Sequence, residues 1–184
     1  MNSSTLDPKN PAQPGSTTDP CAVSTTQLHR NEALIKRFYC AFSRRDAATM
    51  AACYAPDAVF RDPAFELRGE RIGQMWSMLT SQAGPDFKIE FERVQADEQQ
   101  GRAHWEADYT FSISGRPVHN IIEARFTFEN GLIKTHVDDF NFWRWSQQAL
   151  GLPGLLLGWT PILQNKVREQ AAKRLERFAA RKSA

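Results

Sequence analysis

The hydrophobic period of this chain changes at Gly84-Pro85, and that change limits what it can fold into. Before it, large apolar residues recur at steps of three and four, as on one face of a helix. After it they alternate, as in a half-buried strand. Leu34, Ile35, Phe38, Tyr39 and Phe42 predict a helix over 31–45, with Lys36, Arg37, Arg44 and Arg45 on its polar side. Asp46 caps a second short helix, Ala47 to Tyr54, which Pro56 ends. Ala58 to Arg61 is a short strand, turned by Asp62-Pro63. Ile72, Met75, Trp76 and Leu79 mark a third helix, Gly69 to Gln82.

Beyond the break, Phe87, Ile89 and Phe91 alternate with charged residues. Ala103, Trp105, Ala107, Tyr109 and Phe111 alternate with Arg102, His104, Glu106, Asp108 and Thr110. A turn at Gly115-Arg116-Pro117 leads to a strand from Val118 to Phe128. Asn130-Gly131 is a tight-hairpin signal, and Leu132 to Trp143 forms the last strand. Helices followed by an antiparallel run of strands make an α+β domain, in which one sheet face packs on the helices and leaves room for a cavity.

The flanks differ from this centre. Residues 1–27 hold almost no large apolar side chains, so they cannot offset the entropy of ordering and are expected to be a disordered tail. The folded domain is then 28–146, and 147–184 is an extension. Within the extension, Gly151 to Gly158 is an apolar connector broken by Gly and Pro. Thr160-Pro161 starts a final helix with Ile162, Val167, Ala171, Leu175 and Phe178 on one stripe. Seven Lys and Arg stand against Glu169 and Glu176 between Thr160 and Ala184. The first reading of this basic amphipathic helix is that it closes the domain. The second is contact with a partner or a membrane surface.

Other classes lose support. A formal charge of +2 and the lack of a recognition motif argue against nucleic acid as a partner. Cys21, Cys40 and Cys53 form neither a CxxC pair nor a framework, so neither structural zinc nor a disulfide scaffold is expected. No cluster has metal-ligand spacing, and phosphate-loop and dinucleotide fingerprints are absent, so no cofactor is expected. With no leader-like start and no long apolar run, the expected compartment is the cytoplasm.

Two stretches carry a family resemblance. "RFYCAFSRRDAATMAACYAPDAVFRDP" and "ARFTFENGLIKTHVDDFNFW" resemble the opening helices and closing hairpin of the SnoaL-like polyketide cyclase group, within the nuclear transport factor 2-like superfamily. The resemblance covers roughly residues 31–145. It implies a cone: a curved antiparallel sheet packed on three N-terminal helices, with the C-terminal helix as an addition. It also implies an apolar small-molecule ligand and a homodimer paired through the outer sheet face, where alternating aromatics would fit. The superfold hosts isomerases, cyclases, epoxide hydrolases and non-catalytic binders, so the reaction is not implied.

The resemblance to ketosteroid isomerases places their catalytic base on Asp62 and a supporting Tyr on Tyr54. Their oxyanion Tyr falls on Phe38, which has no hydroxyl, and their acidic donor falls near Ala124 or on Glu123. SnoaL cyclases and limonene epoxide hydrolases place an acidic residue at Asp138, and SnoaL-like proteins often have His at His136. Glu106 and Asp108 stand where the epoxide hydrolases carry an Arg-Asp pair.

Strand spacing puts His136, Asp138 and Phe140 on one face. The candidate acid/base groups are thus Asp62, Asp138 and His136, with Tyr109 and Asn120 as hydrogen-bond donors. Phe38, Tyr54, Trp76, Trp105, Phe111, Ile122, Phe126 and Phe140 are the candidate ligand walls. Each has a plainer reading: Asp62 as a turn residue, His136 and Asp138 on a solvated edge, and the aromatics as core.

Overall fold

The computed structural model describes residues 30–182. The expected N-terminal tail lies outside them. Helix α1 (Arg30–Ser43) turns Leu34, Ile35, Phe38, Tyr39 and Phe42 inward, as their spacing requires. Asp46 caps α2 (Ala47–Ala51) by accepting from the Thr49 amide at 3.0 Å. Helix α2 stops at Ala51 rather than running to Tyr54, and strand β1 (Tyr54–Arg61) begins there and passes through Pro56. Proline is tolerated because the ladder shifts register between Tyr54 and Val59, so it lies where regular pairing is interrupted.

A three-residue strand, β2 (Glu66–Arg68), follows the Asp62 turn and was not legible as alternation. Helix α3 (Glu70–Gln82) buries Ile72, Met75 and Trp76. Four long strands come next: β3 (Lys88–Ala96), β4 (Gln100–Phe111), β5 (Arg116–Glu129) and β6 (Leu132–Asp139). The sheet has six strands in the order β2-β1-β6-β5-β4-β3, not only the four of the alternating run. β1 pairs parallel with β6, and the other neighbours are antiparallel. Asn130 and Gly131 both have positive φ, so the β5–β6 turn has the backbone a two-residue hairpin demands.

The sheet is curved and unclosed, and its concave face holds the core against α1 and α3. Trp105 and Phe91 point inward. The opposite face is charged rather than aromatic. There His104 Nδ1 meets Glu123 at 2.7 Å, its Nε2 meets Glu106 at 3.1 Å, and His119 Nδ1 meets Asp108 at 2.8 Å. Burial alone would lower the His104 pKa, but the hydrogen bonds it donates to the Glu123 and Glu106 carboxylates leave it raised.

The last strand ends at Asp139 rather than Trp143. Asn141 Oδ1 accepts from the Arg144 amide at 2.9 Å and caps helix α4 (Phe142–Leu150). The expected connector coils into a short helix, α5 (Leu152–Leu157), folded back on α4. Gly154 permits this contact, since a Cβ there would lie 1.8 Å from the Ser146 carbonyl oxygen. Helix α6 (Pro161–Lys182) then packs along α3 and buries Leu175 in the main core. Val167, Ala171, Leu175 and Phe178 form its inner stripe, but Ile162 is 80% exposed. Ile162 lies five positions before Val167, well over one helical turn, which carries Ile162 round to the outer side.

Candidate active site

The concave sheet face, α3, α4 and α6 enclose a cavity of about 270 Å³. Phe42, Phe60, Trp76, Trp105, Ile122 and Phe140 supply much of its apolar wall. Leu79, 39% exposed, and Ile113, 63% exposed, also line it and give it an apolar rim open to solvent. The volume lies near the lower end of ordinary small-ligand sites.

Polar groups interrupt this wall, among them Asp62, Asp138, Tyr109 and Asn120. Asp62 follows β1, where its Oδ1 accepts from the Ala64 amide at 2.6 Å and from the Phe65 amide. It is therefore a turn residue, as the plainer reading held, but only through one oxygen. Oδ2 has no hydrogen-bond partner among the described residues. Burial pushes its carboxyl pKa up to about 7. The Phe65 amide opposes the rise, the nearby Asp138 charge adds to it, and the Ala64 amide and Arg168 oppose it. The Asp62 turn is pinned from outside by α6, where Arg168 Nε donates to the Pro63 carbonyl at 2.8 Å.

Asp138 is buried on the inner face of β6, whereas its neighbour Asp139 is exposed. Its Oδ1 accepts from Trp105 Nε1 at 3.1 Å and faces His136 Nε2 at 3.0 Å. His136 Nδ1 lies 2.6 Å from the Tyr54 hydroxyl, which accepts from Trp76 Nε1 at 3.1 Å. An indole N–H can only donate, so the Tyr54 oxygen accepts from Trp76; an ionised Asp138 can only accept, so a neutral His136 donates to it from Nε2 and takes the Tyr54 O–H on Nδ1. Burial first, and then the Asp138 charge, raise the Tyr54 pKa well above its usual value, which keeps that proton in place. The ring then carries hydrogen on Nε2 and donates to Asp138. One directed chain, Trp76 to Tyr54 to His136 to Asp138, thus fixes Oδ1 and leaves Oδ2 without a partner among the described residues.

Tyr109 is half-buried, and its hydroxyl oxygen accepts from Trp145 Nε1 at 2.9 Å. Burial pushes its pKa up to about 12, with the Trp145 bond opposing and the Asp62 charge adding. The O–H proton survives at neutral pH and has no acceptor among the described residues. The Asn120 side chain also makes no hydrogen bond among them. Two carboxylate oxygens, one hydroxyl donor and one amide therefore meet at an apolar cavity with unused hydrogen-bonding capacity.

Of the residues singled out from sequence, Asp62, Asp138, Trp76, Trp105, Tyr109, Phe111, Asn120, Ile122 and Phe140 line the cavity. His136, Tyr54, Phe38 and Phe126 do not; they form the layer behind it. Phe38 lies edge-on to Tyr54, Trp76 and His136, at ring-centre distances of 5.7, 5.4 and 5.5 Å. Phe126 lies against the His136 ring at 4.3 Å. These rings hold the hydrogen-bonded chain dry rather than touching a ligand. Trp145, Leu150, Val167, Gln170, Ala171 and Arg174 line the cavity and were not anticipated. The stripe on α6 was legible, but nothing in its spacing says which concavity it covers. Among the described residues no group of three or more His, Cys, Asp and Glu is arranged to hold a metal ion, and no helix is long and apolar enough to cross a membrane.

Solved structures share this architecture. An epoxide hydrolase of M. tuberculosis, described as like the limonene enzymes, is 21% identical at a TM-score of 0.56, over 70% of this chain and 96% of that one. A candidate polyketide cyclase of Xanthomonas campestris is 17% identical at 0.55, over 65% and 96%. A Catenulispora acidiphila protein with a ketosteroid isomerase-like fold, solved with trimethylamine, is 14% identical at 0.57, over 70% and 97%. Identities this low speak for the fold alone. No curated protein is a significant match in sequence. The SnoaL-like domain model matches residues 35–136, more than half of the chain, from α1 to the strand that carries His136, and the chain belongs to that family.

Proposed function

We propose that this protein is a cofactor-independent acid/base enzyme that moves a proton on an apolar carbonyl compound held in the cavity. One observation carries the reading. Asp62 and Asp138 each have one oxygen tied to protein donors and one without a partner among the described residues, and both line the same apolar cavity. A carboxylate whose pKa lies near 7 can give and take a proton at neutral pH, which is what general acid/base catalysis requires.

In this scheme the substrate carbonyl accepts from the Tyr109 O–H and the Asn120 amide. Asp138 Oδ2 removes a proton from the carbon beside the carbonyl, and the C–H pair becomes a C=C bond as the carbonyl π pair moves onto oxygen. Protonated Asp62 supplies a proton to that oxygen, and the resulting enol is the common intermediate. Where a C=C bond adjoins the deprotonated carbon the intermediate is a dienol; Asp138 returns the proton to its far carbon while Asp62 takes back the hydroxyl proton, which gives isomerisation. Attack on a second carbonyl gives cyclisation, and loss of a β-hydroxyl as water gives dehydration. His136 touches no substrate; it positions Asp138. A non-catalytic binder is the second reading, since the apolar rim of Leu79 and Ile113 serves capture equally well.

The test incubates the protein in D2O with mono- and bicyclic ketones, enones and lactones. Exchange of the proton beside the carbonyl is followed by NMR, and binding by thermal stabilisation. A ligand at about 100 times its Kd adds about 2.7 kcal/mol. The enzyme reading expects exchange that Asp138→Asn slows by about a hundredfold or more while binding persists. Binding without exchange selects the binder, and no binding across the panel rejects both.

A further inference from the structure

Most of the large hydrophobic side chains left exposed lie between Trp143 and Ile162, outside the family match. Leu155, Leu156 and Leu157 of α5 are exposed together, with Trp159 73% and Ile162 80% exposed beside them. Hydrogen bonds knit these pieces into one surface: Trp143 Nε1 donates to the Leu155 carbonyl and Trp159 Nε1 to the Leu156 carbonyl, both at 3.1 Å. Both indole N–H groups are thereby satisfied from within, and the rings stay presented to solvent. An apolar patch of this kind marks a contact surface.

Charge selects the partner. Arg144 adjoins Trp143, and Lys166 stands one helical turn beyond Ile162 on the outer side of α6. Both are exposed, and neither pairs with a carboxylate among the described residues. Glu169, the nearest acid along α6, is already bound to Lys173 at 2.5 Å. A second copy docked by two-fold symmetry on this surface would bring like cations together. Leucines and tryptophans framed by unpaired cations suit the boundary between acyl chains and anionic headgroups.

We propose that α5 and the start of α6 form a peripheral docking surface for an anionic phospholipid bilayer. Leu155, Leu156, Trp159 and Ile162 enter the acyl boundary, and Arg144 and Lys166 face the phosphates. The surface is independent of the chemistry in the cavity.

The full chain is sedimented with vesicles of phosphatidylcholine alone and of phosphatidylcholine with phosphatidylglycerol, at low and high salt. Binding to the anionic vesicles is expected, weakened by salt. Lys166→Glu should weaken it by roughly fivefold or more. Leu156→Asp combined with Trp159→Asp should abolish it while the circular dichroism stays that of the folded chain, because both side chains are exposed and only the local Trp159 hydrogen bond is lost. Absence of binding by the natural chain, equal binding to both vesicle types, or undiminished binding by the double variant overturns the proposal. So does dimerisation through this patch without vesicle binding.

Discussion

Replacing Asp62 by Asn removes a titrating group and keeps its structural task, because the amide oxygen still accepts from the Ala64 and Phe65 amides. In the folded protein the Asp62 carboxyl titrates at about 7, against 3.8 for a free side chain. The folded state therefore binds this proton more tightly than the unfolded one. The stability it contributes is full below about pH 4 and is lost as the pH rises to about 7, with no further loss above. The full displacement corresponds to about 4 kcal/mol. Asp62 is half-buried and its free oxygen meets a cavity open at the rim, so screening leaves roughly 2 kcal/mol. Urea unfolding at a series of pH values between about 4 and 8 should show the natural chain losing roughly that much relative to Asp62→Asn. Parallel stability curves would refute the argument, since a carboxyl that ionises equally in both states cannot separate them. Asp62→Ala, which leaves two amides without their acceptor, should cost about 1 kcal/mol or more at every pH.

Other consequences are as direct. Arg168→Gln removes a cation that lowers the Asp62 pKa, so an NMR titration of the Asp62 carboxyl carbon should move above about 7; a midpoint that stays or falls contradicts the assignment. Tyr54→Phe strands the Trp76 indole and His136 Nδ1 in a dry interior, and should cost about 1–3 kcal/mol in denaturant. Phe38→Tyr should destabilise rather than activate, because the added hydroxyl enters the aromatic layer behind the cavity; a more active variant would place Phe38 at the ligand. Gly154→Ala should lower the melting temperature by driving a methyl into the Ser146 carbonyl.

Periodicity made much of the fold and part of the site legible. A helix or strand assigns its faces by local geometry alone, so the inner stripe of α1 and the shared face of His136, Asp138 and Phe140 follow from spacing. Where local signals compete, spacing misled. The aromatics after Asp139 continue an alternation, but the Asn141 cap ends the strand, and Pro56 looked like a helix stop although it lies within β1. Depth within a stripe was not legible either. Phe38 and Trp76 both face inward, yet only Trp76 reaches the cavity.

The order of residues alone therefore determined the α+β class, the family likeness, and which carboxylates and aromatics share an inner face. Only the tertiary structure decided which of them meet. The parallel pairing of β1 with β6 brings Tyr54 to His136 across 82 positions, and α6 reaches the Asp62 turn across 105. Spacing encodes direction around a single element. A site made where separate elements converge depends on packing and closure, which no local period records.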